Sequence, residues 1–308
     1  MTRHHSLLFV RTLPATIAIA GLLSLSAPEA RAQQVFPTPD EAASALASAV
    51  KSGARRDMLR VLGSDGEDII SSGDEVADKE SRERFTSAYD ARHSVKVEGD
   101  KKAVVILGND DFPFPIPLMK RKNGWEFDTE AGRLEILYRR IGRNELDAIQ
   151  TCLAYVDAQN EYAEKDRGQG AGVYAQRIVS TTGKKDGLYW PGGDSPLGEL
   201  AAQASAEGYK VGEGPIPYHG YYYRVLTQQG PRAPGGTLDY VVKGKMIGGF
   251  ALMAWPAEYG NSGVVTFVVN HKGVVYQKNL GNSTASLVRR MNFFNPDQTW
   301  KKVEEPKS

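Results

Sequence analysis

A glycine-flanked serine is the first feature of this chain that could do chemistry. Gly260-Asn261-Ser262-Gly263 places Ser262 where some nucleophilic serines are presented. A nucleophile needs a base within hydrogen-bond reach and a third group to orient that base. Beyond residue 32 the bases on offer are His93, His219 and His271, which are scattered along the chain. Ser262 and His219 are therefore the catalytic candidates, for a hydrolase. The G-x-S-x-G pattern of the nucleophile elbow is absent, because the run reads G-N-S-G. The same four residues carry the Gly and Asn that a tight connection between strands needs. Phe250, Leu252 and Ala254 alternate with Ala251, Met253 and Trp255 before it, and Val265, Phe267 and Val269 alternate after it. A turn is the expected role of residues 260–263.

Other chemistries find less support. There is no H-E-x-x-H and no Cys-His cluster, so no metal site is expected. The acidic stretch GSDGEDIISSGDEVADKESRE lacks the ligand spacing of an EF-hand and reads as a solvated loop. GQGAG at 168–172 has no Walker lysine, and no cofactor is expected. Cys152 is the single cysteine of the sequence and sits beside an apolar helix stripe, as a small buried residue rather than a reactive thiol. His271, in the turn Asn270-His271-Lys272-Gly273, is expected to be solvated. Trp190, Tyr218, His219, Tyr221 and Trp255 could line a groove for a glycan or peptide, although alternating aromatics in strands more often pack a core.

The elements that must position these residues follow from pattern. The chain opens with Arg3, His4, His5 and Arg11, then an apolar run to Leu25, then Ala30-Arg31-Ala32. This is the signature of a secretory signal peptide over residues 1–32. A periplasmic or secreted protein is expected, with no stable membrane anchor after cleavage. Residues 33–308 carry 35 basic and 36 acidic side chains, a net charge of −1. That balance gives no electrostatic footprint for nucleic acid. The expected partner is an envelope protein or a glycan.

Residues 33–138 read as an α+β domain. Thr38-Pro39 opens a helix that Gly53 stops, and a second helix covers about Arg55–Leu62. A third carries Phe85 and Tyr89 four residues apart. Two strands flank Gly99-Asp100, and Asn123-Gly124 marks a hairpin that sets Trp125 and Phe127 on one face. Pro113, Pro115 and Pro117 interrupt the strand between them. Residues 139–282 read as a helix capped by Asn144, with Leu146, Ile149, Leu153 and Val156 as its apolar stripe, then a long Gly- and Pro-rich loop and an antiparallel meander. Arg139, Arg140 and Arg143 fall at the boundary and are expected to pair with the acids of FDTEAG. Residues 283–308 read as a tail.

The order of helices and sheet in 33–138 resembles the cone-shaped NTF2-like domains, which can hold a small molecule. AIQTCLAYVDAQNEYA, PYHGYYYRVL and FVVNHKGVVYQ resemble the globular part of type IV pilins and pseudopilins. The residues ahead of that helix, EILYRRIGRN, depart from the apolar segment by which pilins build filaments. Over nearly the whole chain, FPTPDEAASAL, GWEFDTEAGRLEILYRRIGRNEL and GGFALMAWPAEYGNSGVVTFVVNHKGVVYQKNLG resemble the bacterial secreted family filed as domain of unknown function 2950. That resemblance implies no activity. The combined expectation is a non-catalytic envelope binding or assembly-assisting protein of α+β fold.

Overall fold

The computed structural model describes residues 33–211 and 215–304. The expected signal peptide lies outside the described residues. Helix α1 (Pro39–Ser52) starts as the sequence predicts. Thr38 accepts the Glu41 amide at 3.2 Å, Pro39 occupies the first turn, and Gly53 closes the helix at φ +66°. Then come α2 (Arg55–Leu62), α3 (Glu67–Ile70) and α4 (Glu75–Ala91). The acidic stretch is thus mostly helical rather than a solvated loop. Its Asp74 is 1 % exposed and caps α4 by accepting the Ala77 amide.

Strands β1 (His93–Glu98), β2 (Lys102–Leu107), β3 (Phe112–Pro113), β4 (Leu118–Arg121) and β5 (Gly124–Phe127) form one antiparallel sheet. Its order is β1-β2-β4-β5, with β3 on β2. The prolines fall where β3 stops and β4 has not begun, since they cannot donate to the ladder. Leu46, Met58, Leu62, Val105, Leu118 and Phe127 meet in a first core between these helices and the sheet.

One helix then joins two cores. Helix α5 runs unbroken from Thr129 to Glu164, about 54 Å at the usual rise. The cap is Asp128, not Asn144, and the anticipated boundary after residue 138 falls inside the helix. Gly132 allows the close approach this needs. A Cβ there would sit 2.6 Å from Pro115 O and Ile116 Cα. The apolar stripe is also rotated from the expected one: Ala148, Cys152, Tyr155 and Tyr162 are buried, while Leu146 is 65 % exposed. Cys152 is fully buried, and burial pushes its thiol up to about 12.

The second half adds α6 (Gly198–Glu207) and β6 (Tyr221–Leu226), followed by the small strands β7 (Gln228–Gln229), β8 (Leu238–Asp239), β9 (Val241–Val242) and β10 (Lys245–Met246). Next are β11 (Ala251–Pro256), β12 (Thr266–Asn270), β13 (Tyr276–Lys278), α7 (Thr284–Val288) and β14 (Lys301–Lys302). The main sheet is antiparallel in the order β14-β13-β12-β11-β6, and α5 packs on it. The run YVVKGK stands outside that sheet, in a separate hairpin of β9 with β10. The expected tail belongs to the fold, because β14 pairs with β13 and Phe294 is 1 % exposed. The fold class is α+β.

Among the described residues, no helix is long and apolar enough to cross a membrane. Among the same residues, no group of three or more His, Cys, Asp or Glu is placed to hold a metal ion.

Candidate functional site

Ser262 lies in the turn between β11 and β12, but that turn faces the protein and not the solvent. Ser262 is fully buried. Its Oγ accepts the Glu258 amide at 2.9 Å and donates to Glu258 O at 3.2 Å. Among the described residues, no histidine is a partner of its hydroxyl. The Asn144 side chain donates to Ser262 O at 2.9 Å, and Gly220 packs so closely that a Cβ on it would meet Ser262 Cβ at 3.0 Å. Gly263 is as tightly held. A Cβ there would lie 2.2 Å from the Tyr221 hydroxyl.

The neighbouring Asn261 explains why this turn is buried. Its Nδ2 donates to Ser71 O at 2.8 Å and to Glu258 Oε2 at 2.9 Å, and its Oδ1 accepts from Arg140. Arg140 also donates to Asp68 O at 2.6 Å and to Ile69 O. Arg140 therefore joins α5, the end of α3 and the 260–263 turn. Burial pushes its guanidinium below the ordinary range, against the pull of Asp78 and Asp68. Asp74 makes a second link of this kind. Its Oδ2 accepts the Tyr209 hydroxyl at 2.9 Å and the Gly220 amide at 2.8 Å. Glu145 makes a third, accepting the Val264 and Val265 amides at 3.0 and 3.1 Å. Glycine, asparagine and serine at 260–263 serve as a clasp between the two cores.

His219 follows a different course. It adopts φ +48°, packs edge-on against Tyr209 and tilted against Tyr218, and donates its amide to the Tyr209 hydroxyl at 3.2 Å. Its ring stands between two carboxylates. Nδ1 is 3.8 Å from Asp147 Oδ2, and Nε2 is 3.4 Å from Glu207 Oε2. Of the five residues proposed to line an aromatic groove, only His219 reaches the main cleft. Tyr221 is fully buried and donates to Val265 O at 2.9 Å. Trp190 is buried, donates to Asp194 at 2.8 Å and lies under Arg167. Trp255 packs on Tyr222 and Arg224. Tyr218 stands against Tyr209 and His219. His271 is not solvated as expected. It packs against Tyr240 and Phe250, and burial lowers its pKa from the ordinary value.

The cleft itself has a volume of about 670 Å³ and lies between α4 and α5. That volume is within the range of sites for drug-sized molecules, roughly 300–1,000 Å³. Its floor is apolar: Leu46 of α1, Met58 and Leu62 of α2, Phe85 of α4, Phe114, and Ile136 of α5. Its walls are charged. Arg82 and Arg84 come from α4, and Arg139, Arg140 and Arg143 from α5. Asp78, Glu80, Asp110, Asp147 and Glu207 also reach it, as does His219.

Most of these charges are already matched. Arg84 pairs with Glu80 and Arg139 with Glu135 at 2.6 Å, the latter over the Phe112 ring. Asp78 accepts the Ser72 amide, although burial raises its pKa above the ordinary carboxylate value. The arginines of residues 139–143 do not pair with the acids of FDTEAG. That segment is continuous helix, so these side chains project a turn or more beyond Asp128 and Glu130. Arg143 forms no hydrogen bond or ion pair among the described residues, and neither does Arg82. Sequence reading missed this cleft. The available signal was the run SRERF on one helix and RRIGR on another.

Residues 33–303 match a family model described as protein of unknown function (DUF2950). No curated protein and no solved structure gives a significant match.

Proposed function

Because the chain belongs to the DUF2950 family of proteins of unknown function, whose description assigns no activity, we propose from its cleft that it is a non-catalytic binding protein of the bacterial envelope. Its ligand is a small molecule held between α4 and α5. The observation that carries this reading is the 670 Å³ cleft, with an apolar floor and a charged mouth. A few polar groups around an apolar hollow are what fix the orientation of a bound small molecule. Export follows from the signal-peptide pattern of residues 1–32.

The hydrolase reading would need a serine activated by a base. Ser262 spends its hydroxyl on the Glu258 backbone in both directions, and His219 meets two carboxylates and no hydroxyl of a serine. The binding reading is therefore preferred.

The test is solvent extraction of the protein purified from its native envelope, with mass spectrometry of what is released. Ser81 is exposed on α4 and lines the cleft, so Ser81→Trp obstructs the site with little cost to the core. A small molecule recovered from the wild type and lost from Ser81→Trp is expected. Equal recovery from both, or none from either, would contradict the proposal.

A further inference from the structure

Resting on that reading of the cleft, we propose that its ligand is an amphipathic carboxylate. An aliphatic chain lies on the apolar floor, and the carboxylate is held by Arg143 together with Arg82. Three observations point this way.

The first is the division of the cleft. Its apolar lining is Leu46, Met58, Leu62, Phe114 and Ile136, of which Leu46, Met58 and Leu62 are buried. Such a surface gains from every methylene placed on it and offers nothing to a polar ring such as a sugar. Along α5 the apolar lining residue is Ile136, and Arg143 lies seven residues on, about 10 Å of helix. An extended chain spans that distance from the apolar surface to the guanidinium.

The second is the state of the charges. Glu80 is neutralised by Arg84, and Asp78 is held by the Ser72 amide. Asp147 and Glu207 face His219, though Glu207 Oε2 makes no hydrogen bond. Asp110 is exposed to solvent. Against these, Arg82 and Arg143 hold no hydrogen-bonded or ion-paired partner among the described residues. The mouth therefore has two guanidinium groups free to bind, and a guanidinium matches a carboxylate with two parallel hydrogen bonds.

The third is the crowding of like charge. Arg143 reaches into the cleft while staying solvent-accessible, and its pKa is lowered first by desolvation and then by Arg84. The attraction of Glu80 and Asp147 offsets this only in part. An anion at this position relieves the repulsion between Arg143 and Arg84, which a neutral or cationic head group would not do.

The experiment is calorimetric titration of the purified exported protein with three probes of one chain length: laurate, 1-dodecanol and dodecyltrimethylammonium. Laurate is expected to bind at least about tenfold more tightly than the alcohol, the scale of a hydrogen bond to a charged group. The ammonium compound is expected to bind most weakly. Within the carboxylate series, each added methylene should tighten binding about three- to fourfold until the chain outgrows the floor.

Arg143→Ala should bring laurate down to the affinity of the alcohol and leave the alcohol unchanged. Arg82→Ala, on the other helix, is the second variant should the first fail to fold, and it should show the same loss in smaller measure. If laurate and dodecanol bind alike, or the ammonium binds best, the carboxylate assignment is overturned while the cleft remains a binding site. If none of the three binds, the carboxylate assignment falls together with an apolar-ligand reading of the cleft.

Discussion

Arg140→Ala is expected to destabilise the protein by about 3 kcal/mol, while Arg143→Ala, three residues along the same helix, stays within about 0.5 kcal/mol of wild type. The contrast comes from what each guanidinium does. Arg140 is withdrawn from solvent and donates to Asp68 O, Ile69 O and Asn261 Oδ1. Its removal leaves acceptors without donors at a join between two cores, and a buried acceptor left unpaired costs about 1–3 kcal/mol. It also removes the aliphatic stem that fills the gap beside them. Arg143 leaves nothing unsatisfied when truncated, because among the described residues it has no hydrogen-bonded partner. Urea denaturation followed by tryptophan fluorescence measures both. A loss below about 1 kcal/mol for Arg140→Ala would remove the clasp from the account.

Asp74→Ala is expected to cost about 3 kcal/mol or more, and Asp74→Asn distinctly less. The carboxylate accepts three donors: the Ala77 amide at 3.1 Å through Oδ1, and the Tyr209 hydroxyl and Gly220 amide through Oδ2. Alanine strands all three in a site that is 1 % exposed. Asparagine keeps one acceptor oxygen and so rescues part of the set, most simply the α4 cap. The phenol of Tyr209 reports on the same contact. Burial, and then the charge of Asp74, push its pKa well above the ordinary value. Thermal unfolding of the two variants should rank them alanine below asparagine below wild type. Equal losses for both would mean that charge, and not acceptor geometry, is what Asp74 supplies.

These two residues also show where sequence reasoning reached its end. Local signals were legible. Thr38, Pro39 and Gly53 bound α1 as expected, because a cap is decided by residues within one turn. Asn123-Gly124 and the 260–263 turn were legible for the same reason. Asp74 reads as part of a solvated stretch, since nothing local announces donors 135 and 146 residues away.

Helix α5 is not legible as one element from the sequence, because its buried face changes along its length. Gly132 closes on Pro115 and Ile116 beside the first core, and Ala148, Cys152 and Tyr155 face the second core. No single apolar stripe runs through 36 residues, and Arg139, Arg140 and Arg143 sit where the face changes. The candidate site suffered the same fate. Ser262 and His219 stand out as residue types, yet the cleft is made by α4 against α5 and is marked by no motif. Only the positions of two helices, set by packing, bring Arg82 and Arg143 to one mouth.

The most direct measurement for the cleft is methyl NMR during titration with laurate. The methyl groups of Leu46, Met58, Leu62 and Ile136 line it, while those of Leu252, Met253 and Val269 belong to the second core. A ligand between α4 and α5 predicts shifts in the first set that saturate with added laurate, with the second set unmoved. Shifts confined to the second set, or no saturable shift in either, would contradict it.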